Sequence, residues 1–226
     1  MPLREWTDGL WTTDGPLRLA GMQLGTRTTV IRLRQGGLLL HSPGALDSTL
    51  RTALEKQGPV RALVAPNSLH HLYLAENAAA FPEAGIWVAP GVREKHDDLD
   101  GIVELGDRPP DLWAGDLEQV ALEGVPSFRE IAFFHPASRT LLLTDLVFNF
   151  QHSDHWLTRL LLRINNGYGR FGPTRLMRSQ IKDGAALRGS LDRVLEWDFE
   201  RVVVSHGEVL ESGGPEALRC AFDGVC

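Results

Sequence analysis

The chain has 226 residues, 43% of them hydrophobic, enough to bury a sizeable core. Its 29 acidic side chains outnumber 23 basic ones, and the net charge of -6 leaves no basic field to attract nucleic acid or an anionic membrane surface. The first residues lack the apolar run of a signal peptide, and no window approaches membrane-spanning length. The two cysteines, Cys220 and Cys226, are too widely spaced for a C-x-x-C motif. They read as thiols in a reducing cytoplasm, with a short-loop disulfide between them left open.

Thr28 to Arg34 alternates sidedness, Gly36-Gly37 punctuates it, and Leu38-Leu39-Leu40 follows, which predicts a hairpin. After His41-Ser42-Pro43-Gly44, Leu46, Leu50, Ala53 and Leu54 recur at helical spacing until Gly58-Pro59. Arg61 to Ala65 reads as a strand, His70 to Phe81 has helix-forming composition, and Ile86 to Ala89 reads as a further strand. This strand–helix–strand order predicts α/β layering. Three strands follow at Gln119–Leu122, Glu130–Phe134 and Thr140–Leu143, separated by turn residues. Helical patterns return at Trp156–Ile164 and around Leu187–Leu195, then a strand at Arg201–Val204 and a last helix near Pro215–Phe222.

Three strand ends carry polar residues, the place where α/β architectures put their sites. They are Ala65-Pro66-Asn67-Ser68-Leu69-His70-His71, Leu143-Thr144-Asp145 and Val204-Ser205-His206-Gly207. A histidine near a strand end is more often a hydrogen-bonded structural residue than a ligand, but three such ends in this order point to a metal site. His70 and His71 also open the predicted helix, where successive side chains diverge by about a hundred degrees. A regular helix there brings one imidazole to an ion and leaves the other to bond free N-terminal groups.

In order and spacing these segments resemble the metallo-β-lactamase superfamily, whose signature T-H-x-H-x-D-H follows a strand and falls on Ala65 to His71. Its later strand ending in Gly-Asp is similar to Leu141 to Asp145, and its terminal strand-end histidine is matched by His206. The resemblance implies one domain over 1–226, a four-layer αβ/βα sandwich, with a lid or insertion at about 150–182. Positions that hold the first metal in two-metal members carry Pro66, Ser68 and Val125, so that site should be empty. Position by position, the second site becomes His70, His71, Asp145 and His206, with His70 replacing an aspartate. Three imidazoles and a carboxylate suit one divalent ion, zinc or iron. Asp145 is also the catalytic candidate, as a proton acceptor.

The implied activity is metal-dependent hydrolysis of an ester, thioester or phosphoester. The alternatives are a non-catalytic member kept for binding or structure, and a mononuclear iron oxidoreductase. Residues 155–182 contain Arg159, Arg163, Arg170, Arg175, Arg178 and Lys182 and no acidic residue. Such a segment reads as a lid recognising a small anionic substrate, or else as a basic helix face or a homodimer contact. In His152-Ser153-Asp154-His155, Ser153 or Asp154 is expected to cap the following helix.

Overall fold

The computed structural model describes residues 1–224. The first half runs β1 (Arg4–Thr7), β2 (Leu10–Gly15), a small ribbon of β3 (Arg18–Leu19) and β4 (Met22–Gln23), β5 (Thr26–Arg32), β6 (Leu38–His41), α1 (Ser48–Gln57), β7 (Val60–Ala65), α2 (Leu74–Ala80), β8 (Gly85–Val88) and β9 (Ile102–Glu104). The second runs β10 (Glu118–Ala121), β11 (Ile131–His135), β12 (Thr140–Leu143), β13 (Phe148–Asn149), α3 (Trp156–Ile164), β14 (Phe171–Gly172), α4 (Arg175–Gln180), α5 (Gly184–Leu195), β15 (Arg201–Val204) and α6 (Gly214–Phe222).

Seven strands form one sheet in the order β1-β2-β5-β6-β7-β8-β9, and four form a second, β10-β11-β12-β15. Gly36 and Gly37 both take left-handed φ, near 90° and 87°, and this lets β5 fold back on β6 in antiparallel register. From β6 to β9 the neighbours are parallel, as are β12 and β15. Parallel strands are covered on both faces, hence the uninterrupted apolar runs Leu38–Leu40 and Val202–Val204.

Period-two alternation in β11 divides the interior. Ile131 and Phe133 pack toward the large sheet with Leu142 and Val203. Ala132 and Phe134 face the other way, with Leu141, Val202 and Val204, against Leu187, Leu191 and Val194 of α5 and Leu218 of α6. The layers are therefore helix, sheet, sheet, helix, an α/β sandwich. Among the described residues no helix is long and apolar enough to cross a membrane.

Two local expectations change. The helix expected from His70 begins at Leu74, and residues 70–73 form a turn. The Asn67 side chain accepts from the backbone N–H groups of Leu69 and His70, both at 2.8 Å, so these donors are satisfied outside any helix. The cap of α3 is His155, not Ser153 or Asp154: its Nδ1 accepts from the Thr158 N–H at 3.3 Å and pairs with the Thr158 hydroxyl at 2.9 Å. Cys220 is exposed, with its thiol against Glu216. Cys226, and with it any pairing of the two, lies outside the described residues.

Candidate metal centre

Because β6 and β7 run parallel, as do β12 and β15, their carboxyl ends open together on one side of the sandwich. There, His70 after β7, Asp145 after β12 and His206 after β15 converge. One ligand atom from each lies within 4.8 Å of the others, and this is the one such group of three or more among the described residues. His70 Nε2 is 3.2 Å from Asp145 Oδ2, and His206 Nε2 is 3.4 Å from Asp145 Oδ1.

Each member is held from behind. His206 donates Nδ1–H to the Gly25 carbonyl at 2.7 Å, and Phe148 stacks on its ring. The loop bearing His206 is tied to the large sheet by the buried Arg27, whose guanidinium donates to the carbonyls of Val204 and Gly207 at 2.7 and 2.8 Å. His70 Nδ1 lies 2.6 Å from the Ser42 hydroxyl. Ser42 sits at the end of β6 with a left-handed φ of 55°, pinned by its N–H to Val64 and by the Thr28 hydroxyl on its carbonyl. Ser42, His70 and Asp145 line up as serine, histidine and acid. The serine, however, is 2% exposed behind the imidazole, where it orients the ring and meets no substrate.

Asp145 is fixed twice over. Asn67 donates Nδ2–H to Asp145 Oδ2 at 2.7 Å and to the Thr144 hydroxyl at 2.8 Å. The buried Glu130 carboxylate accepts the backbone N–H groups of Thr144, Asp145 and Leu146 at 2.7–2.9 Å. Burial, then the charge of Asp145, raises the Glu130 pKa, against the pull of those donors. Burial would raise Asp145 as well, but the charge of His70 and the close contacts of both imidazoles hold its carboxyl well below the usual range. Burial opposes charge on His70, and Asp145 outweighs it and raises the His70 pKa.

This donor set fits a cation. A carbonyl only accepts, so the Gly25 contact fixes the proton of neutral His206 on Nδ1 and turns the unprotonated Nε2 toward a carboxylate oxygen. Two such lone pairs need a proton or a cation between them. A ring N–H given to a carbonyl while the other nitrogen faces inward is the usual support of a metal-bound histidine.

Of the four expected ligands the structure thus brings together His70, Asp145 and His206 and leaves His71 apart. In the turn the two neighbouring side chains diverge, and His71 Nδ1 faces His96 Nε2 at 2.9 Å. Burial, followed by the charges of Lys95 and His96, pushes the His71 pKa down to about 4, so it is neutral at pH 7. The positions where the resemblance placed other ligands are taken by structural bonds: Ser68 donates to the Ser127 carbonyl, the Pro66 carbonyl accepts from Ile131, and Val125 is core. The supporting roles of Ser42, Asn67, Glu130 and His96 escape sequence reading. The one local hint is a charged Glu130 directly ahead of an apolar strand.

His70, Asp145 and His206 line a cavity of about 810 Å³. Segment 150–182 forms one wall, through Leu161, Leu162 and Ile164 of α3 and Leu176 and Met177 of α4. Of the six basic residues in 155–182, Arg175 lines the cavity; Arg163 instead lies over the Tyr168 ring and Arg178 donates to the Ala221 carbonyl.

The DIM-1 metallo-β-lactamase exposed to ceftazidime is similar over 100% of this chain and 97% of its own, with a TM-score of 0.67 at 11% identity. The metallo-β-lactamase of Pontibacter korlensis gives 98% and 98%, a TM-score of 0.67 and 12% identity. The fold is that of the metallo-β-lactamases. The metal-soaked Flv1 flavodiiron core of Synechocystis sp. PCC6803 is similar over 99% of this chain and 60% of its own, with a TM-score of 0.65 and 12% identity. Residues 7–93 match a family described as a domain of unknown function, DUF4336. No curated protein matches the sequence.

Proposed function

We propose that the chain is a metal-dependent hydrolase of a carboxylic ester, thioester or phosphoester. The observation that carries this reading is the convergence of His70, Asp145 and His206, each braced from behind, in the wall of a large cavity. A divalent ion held there, zinc or iron, supplies Lewis acidity toward an acyl or phosphoryl oxygen and lowers the pKa of water. Around it, Gly25 and Ser42 keep both imidazoles in place, and Asn67 and Glu130 hold an ionised Asp145 that ligates or takes up a proton. His71 belongs to the cavity wall, held by His96.

The test is metal content after purification without chelator and loading with zinc or iron, alongside hydrolysis of nitrophenyl esters. One equivalent is expected, lost in Asp145→Ala and His206→Ala and kept in His71→Ala, with hydrolysis following the metal. A parent protein that holds no stoichiometric metal sinks the proposal and leaves a non-catalytic binding protein. The likeness to the flavodiiron core favours a second reading, redox chemistry at one iron. Dioxygen consumption by the iron-loaded form, without ester turnover, would select it.

A further inference from the structure

The cavity above the cluster is lined unevenly. Its ionisable lining groups are His70, Asp145 and His206 of the cluster, the neighbouring His71 and Tyr73, and Arg175, whose guanidinium is given to the Ile164 carbonyl, while eight leucines, two methionines, Ile164, two phenylalanines and a proline make up most of the remaining wall. Leucine and methionine are aliphatic and rotatable, a match for a flexible alkyl chain. A sugar, nucleotide or peptide would bury most of its polar atoms against apolar side chains, with few groups such as Asn165, Thr174 and Arg175 to bond them. The apolar lining continues to the mouth, where Leu72, Leu176 and Ile164 keep 67%, 63% and 58% of their surface exposed. Contiguous apolar surface of this kind is seldom left in water unless it binds something. The volume of about 810 Å³ lies within the roughly 300–1,000 Å³ of cavities that enclose a small ligand.

We infer that the cavity binds a long unbranched acyl chain, its carbonyl head at the His70–Asp145–His206 cluster and its tail between α3, α4 and the β3–β4 ribbon, where Leu19 and Met22 line it. The identity of the scissile bond rests on the hydrolase reading; the chain site rests on the wall alone. In the hydrolysis, the oxygen of water bonds to the acyl carbon and the acyl–oxygen or acyl–sulfur bond breaks. One proton leaves with the alcohol or thiol, and the acid ionises in solution.

The test is a fluorescence titration with cis-parinarate, displaced by neutral alkanamides from butanamide to dodecanamide, in parallel with turnover of nitrophenyl esters of the same lengths. Displacement is expected to strengthen roughly three- to fourfold per methylene until the cavity is full. Leu176→Asn combined with Ile164→Asn, both solvent-exposed positions that leave the core intact, is expected to weaken dodecanamide tenfold or more while metal content stays at the parent level. Affinity independent of chain length, or unchanged in that double variant, overturns the inference. Turnover that ignores chain length also overturns it while leaving the hydrolase reading standing. Chain-length-dependent binding in a protein that holds no metal has the opposite effect: it keeps the acyl site and removes the hydrolase.

Discussion

His41 and Asn67 show how single polar side chains set the terms of this site. His41, fully buried at the end of β6 and edge-on to Phe133, has no partner for Nε2, and burial followed by the charge of His70 pushes its pKa down to about 3. In the unfolded chain the same imidazole takes a proton near pH 6.5. Between those values the unfolded state binds the extra proton, so stability falls as pH drops from 6.5 toward 3, by up to ~1.4 kcal/mol per pH unit. His41→Leu is expected to flatten that part of the stability curve relative to the parent, read by urea denaturation at pH 5 and pH 7. Equal losses in both proteins would show that His41 does not titrate in this way. Asn67 combines four hydrogen bonds across two loops, to Leu69, His70, Thr144 and Asp145. Asn67→Ala leaves those groups short of partners, so it is expected to cost about 2–3 kcal/mol and to weaken metal binding roughly ten- to a hundredfold. A variant with parent stability and parent metal affinity would contradict the bracing role.

At the scale of elements, the pairing of β12 with β15 decides where Asp145 and His206 stand, and Gly207 is the residue that lets the chain leave β15. Its φ is 90°, and a Cβ would run into the Asn149 carbonyl. Gly213, ahead of α6, also has positive φ, at 71°, but open space where a Cβ would go. Gly213→Ala is therefore expected to cost about 1–2 kcal/mol from backbone conformation alone, and Gly207→Ala about 2–4 kcal/mol with loss of metal. Equal costs in thermal or urea unfolding would mean that the Asn149 contact yields easily. Strands such as Leu38–His41, between Gly37 and Pro43, and Arg201–Val204, between charged residues and Ser205-His206-Gly207, are legible because short apolar runs so bounded leave few alternatives, and Trp156–Ile164 because its apolar face repeats at helical spacing. The start of α2 is not, since Ala-rich composition is indifferent to whether Leu69 and His70 bond within a helix or to an asparagine side chain. His71 is misplaced for the same reason: its direction is set by the turn, and its partner His96 lies 25 positions away.

Across the whole molecule, the cluster is assembled from both sheets. His70 comes from the large sheet, Asp145 and His206 from the small one, and Arg27 and the Gly25 carbonyl cross from the first to the second. Most of what joins the halves at this edge is hydrogen bonding between polar groups, and Asp145 keeps its charge there because imidazoles flank it. An ion seated among these groups would bind the folded arrangement and not the separated halves, so its binding free energy adds to global stability. At a free concentration one hundred times the dissociation constant that amounts to about 2.7 kcal/mol. For a chain of this size it corresponds to a rise in Tm of roughly 5–11 °C. Calorimetry of metal-loaded and chelated protein should show that rise as a shift of one cooperative transition, because the ligands tie both sheets together. His206→Ala should abolish the shift while His71→Ala keeps it. Two transitions, of which metal moves only one, would mean that the ion is held within one half, and the three-residue centre would have to be redrawn.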